Sequence, residues 1–356
     1  SIRKTALRSQ GSGGIFGGDA QLYKRQLCSM GAASNRLCEA MAAFGKRICT
    51  ENIDPCVLEA FVANRLIPLD KQPGTRPIGI GEMARRIICK TIATALKGNI
   101  MQAAGATQVC AGHRSGIEAA IRASIELFEK ESSEALLLVD ASNAFNSLNR
   151  AAALHNIRFI CPTLSTALIN IYRQPARLFV QGGLELASCE GTTQGCPLAM
   201  QMYALGVMPL IDTLRPPSDQ VAVDVQVEED GLVNVDINVA DQILPMQAWY
   251  ADDSQAVGRL KAILNWWKLL CIHGPGFGYF PKASKTYLVV KPHLLDEAKR
   301  LFKGSGIKIT DGGQRDLGAA IGSIDYIAKF LSAKADNWAK EVECLAGFAQ
   351  TQPHAS

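Results

Sequence analysis

Hydrophobic positions along the chain switch between helical and strand-like spacing, and the switches divide it into elements. The glycines at 11, 13, 14, 17 and 18 break any pattern at the start, so residues 1 to 20 are expected to be loop or mobile terminus. From Ala20 to about Arg65 the spacing is helical. Leu37, Met41, Phe44 and Ile48 recur every three or four positions, and Asn52 to Asp54 before Pro55 reads as a helix start. Leu66 to Asp70 and Arg76 to Ile80 predict two short strands joined by the turn Lys71-Gln72-Pro73-Gly74. Ser115-Gly116-Ile117-Glu118 has the form of a capping box, and Ile117, Ile121, Ile125 and Phe128 then trace one face of a helix. The unbroken apolar run Ala135 to Val139 predicts a buried central strand, which puts Asp140 at its exit.

Farther along, Ala151 to Ile157 and Leu164 to Tyr172 predict helices, and Arg177 to Leu184 a strand or hairpin. Leu198 to Leu214 reads as one apolar helix stopped by Pro216 and Pro217. Val221, Val223, Val225 and Val227 alternate with other residues, as do Val233, Val235 and Ile237 after Asp230-Gly231, which predicts an edge hairpin. Met246 to Tyr250 is a second strand, entering Ala251-Asp252-Asp253. Leu260 to Leu270 is helical, with Trp266 and Trp267 as packing residues, and Gly274 to Gly278 reads as a flexible turn. Near the end, Leu317 to Ala319 is a possible strand and Ile324 to Phe348 a helix.

Composition narrows the class of protein. A chain of 356 residues with 48% hydrophobic and 20% charged residues can bury a sizeable core. No apolar run reaches the roughly 18 residues a membrane span requires, and the first residues lack a signal peptide's apolar stretch, so an intracellular protein, nuclear or cytoplasmic, is expected. The eleven cysteines include no Cys-x-x-Cys pair, which argues for reduced thiols rather than a zinc ribbon or a disulfide framework. The net charge of +4 conceals an asymmetry: residues 1 to 100 carry 15 Lys/Arg against 7 Asp/Glu, whereas 217 to 254 carry nine Asp/Glu and no Lys or Arg. A basic first third suits a polyphosphate partner, although solvated faces without a partner show the same pattern. The missing initial Met and the ending Pro353-His354-Ala355-Ser356 suggest a piece of a larger polyprotein.

Asp140 at the end of one strand and Asp252-Asp253 at the end of another would meet if those strands paired. Carboxylates so placed suit Mg²⁺, a hard ion commonly held by one or two carboxylates plus substrate phosphates. Taken singly, Asp140 is equally a helix cap or turn residue, and Asp252-Asp253 an acidic hairpin turn. Their flanking residues change that balance. Leu138-Val139-Asp140-Ala141-Ser142-Asn143-Ala144-Phe145 resembles the first catalytic motif of reverse transcriptases. Gln194-Gly195-Cys196-Pro197-Leu198 resembles their Gln-Gly-x-Pro-Leu motif, and Tyr250-Ala251-Asp252-Asp253 their Tyr-x-Asp-Asp box. Arg76-Pro77-Ile78 upstream and Lys285-Thr286 downstream follow the same order, and the Lys-Thr pair is closest to retrotransposons without long terminal repeats. Two positions depart from the family pattern: Cys196 replaces a small or acidic residue, and Pro281 to Ser284 lacks an Asn.

The resemblance implies an α+β fold, a right-hand polymerase with fingers and palm, an antiparallel palm sheet backed by helices, and little or no complete thumb. It implies a mobile segment at 1–19, fingers at 20–130, a palm at 131–300, and a palm edge or thumb base at 301–356. The implied activity is RNA-directed DNA polymerisation with two Mg²⁺, Mn²⁺ being a possible substitute, and with RNA template, DNA primer and dNTPs as partners. The alternative is a decayed copy that still binds nucleic acid. Asp140 and Asp252 would ligate both ions and Asp253 would support them. Arg76, assisted by Lys71, would grip the triphosphate. Phe145 would exclude a 2′-hydroxyl, or else be a core Phe. Gln194 and Gly195 would lie beside nucleotide and template. Lys285, with Lys282 as competitor, would protonate pyrophosphate, a surface lysine being the bland alternative. Subunit number is left open.

Overall fold

Residues 1–71, 74–215, 223–227, 233–237 and 244–352 are described by the structure, a computed structural model of the chain. The first residues form a helix rather than a loop. In α1 (Ile2–Arg8) the side chains of Ile2 and Ala6 are buried, and the helix packs on α2 (Ala20–Cys28), α3 (Gly31–Thr50) and α5 (Met83–Ala95). The glycine-rich stretch after it is a pinned loop, because the Phe16 N–H donates to the Glu82 carboxylate at 2.9 Å. In α3 the predicted stripe holds in part: Met41 and Ile48 are buried and Phe44 packs against the core, while Leu37 lies at the surface. α4 (Pro55–Val62) starts at Pro55, with the Asp54 carboxylate accepting from the Cys56 N–H.

β1 (Asn64–Asp70) and β2 (Thr75–Gly81) pair antiparallel as predicted, although Gln72 and Pro73 of their turn lie outside the described residues. α5, α6 (Lys97–Ala104) and α7 (Gly116–Glu129) follow. The predicted capping box does not form. Ser115 adopts a left-handed conformation, φ 50°, which turns its hydroxyl away from the helix N–H groups that an extended cap residue would reach. The buried face of α7 is the small-residue row Gly116, Ala120 and Ser124, and the predicted Ile stripe is half-buried beside it.

β3 (Ala135–Val139) is buried throughout and is the third strand of a five-stranded sheet. In the sheet's order β11-β10-β3-β9-β8, β8 is Met246–Tyr250, β9 Asp253–Gly258, β10 Tyr287–Val290 and β11 Lys308–Thr310. All pairings are antiparallel except β10 with β11, where α14 (Leu295–Leu301) supplies the crossover that a parallel pair requires. Both faces are covered, which explains the unbroken apolar run: Leu136 and Leu138 pack with Ile125 and Phe128 of α7. Leu137 and Val139 belong to the main core with Ile263 and Trp266 of α13 (Leu260–His273).

Between β3 and β8 come the short α8 (Ala144–Ser147), α9 (Arg150–Ile160), α10 (Pro162–Tyr172) and the hairpin β4 (Ala176–Val180) and β5 (Glu185–Ser188). That hairpin joins β1 and β2 in a second sheet, order β2-β1-β4-β5. The predicted long apolar helix is two, α11 (Ala199–Gly206) and α12 (Met208–Thr213), broken next to Pro209, which has no N–H to continue the first. Pro216 and Pro217 are outside the described residues. β6 (Val223–Val227) and β7 (Val233–Ile237) pair antiparallel as predicted, but as a separate two-stranded sheet rather than the edge of a larger one. Val221 and the Asp230-Gly231 turn lie outside the described residues.

Gly274 to Phe277 form a tight 3-10 turn that is packed, not loose: a Cβ on Gly278 would lie 1.9 Å from the Ser147 carbonyl oxygen. Leu317-Gly318, part of a predicted strand, is instead the turn between β12 (Gly313–Asp316) and β13 (Ala319–Gly322), with positive φ at both residues. α15 (Ile324–Thr351) is the last element. All eleven cysteines are free thiols. The architecture is α+β with predominantly antiparallel sheets. No helix among the described residues is long and apolar enough to cross a membrane.

Candidate active site

The strand that pairs with β3 is β9, not β8 as expected from sequence, and β8 lies one place farther out. The chain reverses between β8 and β9 through Ala251 and Asp252, with Tyr250 opposite Asp253. Because Val139 pairs with Ser254, Asp140 leaves β3 beside Asp253. The acidic turn and the strand exit therefore meet at one end of the sheet, as the sequence predicts, through a different neighbour.

Buried polar side chains fix this corner. Ala251 has φ 57°, a left-handed conformation that costs a non-glycine residue about 1 kcal/mol or more. Gln108, fully buried, brackets that peptide: its Nε2 donates to the Ala251 carbonyl at 3.1 Å and its Oε1 accepts the Ala251 N–H at 2.9 Å. The Tyr279 hydroxyl donates to the Asp252 carbonyl at 2.9 Å and lies 3.0 Å from Ser254 Oγ. The backbone after Asp140 is held by Ser142 N–H to the Phe280 carbonyl, 2.9 Å, and the Asp140 carbonyl accepts the Lys282 N–H at 2.8 Å.

A cleft of about 680 Å³ opens above the corner, and nine of the ten residues given a role from sequence line it. Asp140 just past β3, Asp252 in the β8–β9 turn and Asp253 at the start of β9 line it together, and Lys285 ends a 3-10 turn beside them, its Nζ 3.1 Å from Asp140 Oδ2. Lys71 follows β1, and Arg76 lies on β2 opposite Leu69. Phe145, on α8, is half-buried and stacks on Tyr203, with centroids 4.5 Å apart and planes at 20°. Gln194 and Gly195 belong to the loop between β5 and α11. The Gln194 carbonyl accepts the Gly79 N–H at 2.8 Å, which ties that loop to β2. Gly195 has φ 112°, and a Cβ there would lie 2.4 Å from the Gly79 carbonyl oxygen, so only glycine fits. Lys282 is not among the lining residues; its contribution is the backbone bond to Asp140.

The carboxylates crowd one another. Burial, then the charges of Asp252, Asp316 and Asp140, push the Asp253 carboxyl up to about 7. Asp252 is also raised, by burial first and by Asp140, with Arg76 and Lys71 pulling the other way. Burial raises Asp316 to about 6, opposed by its hydrogen bond from Gln255. A site so rich in buried negative charge favours protons or cations.

Four positions that shape the cleft were not singled out from the sequence. Gln108 and Tyr279 hold the acidic turn. Arg150, buried on α9, donates to the carbonyls of Ser188, Glu190 and Gly191 at 2.8 to 3.0 Å, and so shapes the approach to Gln194. Asp316 lines a smaller adjoining cleft of about 250 Å³ with Asp140, Asp253 and Lys285. Only Asp316 carries a hint, as an acidic residue before Leu317-Gly318, but short acidic turns are common.

No family model matches the chain, and no curated protein matches it.

Proposed function

We propose that the chain is an RNA-directed DNA polymerase, a reverse transcriptase of the retrotransposon type without long terminal repeats. It extends a primer 3′ hydroxyl with deoxynucleotides along an RNA template. The observation that carries this reading is the convergence of nine residues, spread from position 71 to 285, on one cleft whose floor is three aspartates. On this reading residues 20–130 are a fingers-like lobe, 131–300 the palm, and 301–356 the palm edge or the base of a thumb.

The donor set fits divalent metal. Three carboxylates line one cleft, Asp252 and Asp253 are raised first by burial and then by neighbouring carboxylates, and hard oxygen donors of this kind suit Mg²⁺ or Mn²⁺. Asp140 and Asp252 would hold the ions, with Asp253 in support. When bound, such ions lower the pKa of the attacking hydroxyl and neutralise charge on the leaving group.

The chain's own residues do the rest. Arg76, with a planar guanidinium, grips the triphosphate from β2, and Lys71 adds a second positive charge. The Phe145 ring, supported from behind by Tyr203, lies against the sugar and leaves no space for a 2′-hydroxyl. Gly195 lets the loop backbone approach nucleotide and template, and Gln194 is anchored to β2 through its carbonyl. Lys285 Nζ exchanges its contact with Asp140 for the departing pyrophosphate and gives it a proton. Phosphate contacts by Lys and Arg supply most of the affinity for the hybrid.

Primer extension on poly-rA/oligo-dT with Mg²⁺ or Mn²⁺ tests this. Extension is expected, and Asp252→Asn is expected to abolish it while hybrid binding persists. Protein that binds the hybrid without extending the primer would instead be a nucleic-acid-binding module, and the enzymatic reading would fall.

A further inference from the structure

α15 is 28 residues long, about 42 Å at 1.5 Å per residue, and none of its residues is buried. It packs against the β12–β13 hairpin, where Tyr326 lies over Gly313. The opposite face carries a strict heptad. Ile324, Leu331, Trp338 and Leu345 recur every seven residues, and Ala328, Ala335, Val342 and Ala349 recur every seven, four positions later. The four large residues are 57 to 85% exposed. A helix that needs only to cover a globular core drifts out of a seven-residue register, whereas one sustained over four heptads is the pattern of a coiled-coil seam.

We propose that this seam pairs with α15 of a second copy of the chain, the two helices running antiparallel. The sizes of the seam residues choose the direction. A parallel pair would set small against small and Trp338 against itself. An antiparallel pair sets every small residue against a large one: Ala328 on Leu345, Ala335 on Trp338, Val342 on Leu331 and Ala349 on Ile324. The flanking positions are self-complementary in the same register. Lys334 faces Glu341 of the other copy, twice by symmetry, and Ile327 faces Phe348. Neither Lys334 nor Glu341 has an ion-pair partner among the described residues. The two-fold axis passes between Asp336 and Asn337, with the hairpins on the outer faces.

Sedimentation equilibrium of the full chain, without nucleic acid, tests the pairing independently of any catalytic reading. A mass of two chains at micromolar concentration is expected. Trp338→Asp or Leu331→Asp should give the mass of one chain with an unchanged far-ultraviolet circular dichroism spectrum, since both side chains are exposed in the single chain. Lys334→Glu should weaken the dimer by roughly tenfold, as should Glu341→Lys, and the double exchange should restore it. A monomeric wild-type chain, or a dimer indifferent to Trp338→Asp and Leu331→Asp, would overturn the proposal. A dimer indifferent to the two charge reversals would overturn the antiparallel register.

Discussion

Replacing Gly195 by alanine puts a methyl carbon 2.4 Å from the Gly79 carbonyl oxygen, at a backbone φ of 112°. Ordinary C···O contacts are about 3.3 Å, so the Gln194–Cys196 loop or β2 must move by roughly 0.9 Å. Neither can move alone, because the Gly79 N–H is bonded to the Gln194 carbonyl and β2 carries Arg76. The same substitution adds backbone strain of about 1–3 kcal/mol. A displacement of that size between triphosphate grip and template loop should lower kcat/KM for single-nucleotide incorporation by about a hundredfold. Gly183 is the control: its φ is 92°, but nothing lies within 4 Å of its added Cβ. Gly183→Ala should cost stability by about 1 kcal/mol in denaturant unfolding and leave kcat/KM unchanged. Wild-type kcat/KM in Gly195→Ala would refute the reasoning.

Three further outcomes follow from the same geometry. Phe145→Ala, assayed with competing ribo- and deoxynucleotides, should reduce discrimination against ribonucleotides by roughly tenfold or more; unchanged selectivity would make Phe145 a packing residue. Gln108→Leu leaves the buried Ala251 N–H and carbonyl without partners, so urea unfolding should show a loss of about 1–3 kcal/mol per orphaned group. Asp316 has its folded pKa raised to about 6, so its protonated form favours folding and stability falls as pH rises from about 4 through 6. Asp316→Asn can still accept from Gln255 and should stabilise the protein at pH 8 by up to about 3 kcal/mol but not at pH 4, measured in chelator. Equal effects at both pH values would contradict the shift.

What the sequence reveals and what it hides have a common physical cause. β3 is legible because both faces are apolar, so five consecutive hydrophobic residues mark it and Asp140 stands out at its end. β9 is hidden because its buried positions include Ser254 and Gln255, satisfied by Tyr279 and by a chain of hydrogen bonds from Ser124 through Gln255 to Asp316. Those partners are 25 to 131 positions away, beyond any local pattern. Gln108 is invisible for the same reason, lying 143 positions from the turn it holds. The Ser115 capping box fails because a letter pattern does not set backbone dihedrals, and close approach of Gly116 to the Val109 carbonyl governs how α7 begins. The nine cleft residues were readable only because several short motifs occur in order; each motif alone has a structural explanation.

Extension of a DNA primer on a mixed-sequence RNA template in Mg²⁺ is the decisive measurement for template-directed DNA synthesis on RNA. With one dNTP omitted, products should stop one nucleotide before the first template base requiring it, with full extension when it is restored. No extension of a bound primer, or addition that ignores the omitted nucleotide, would contradict it.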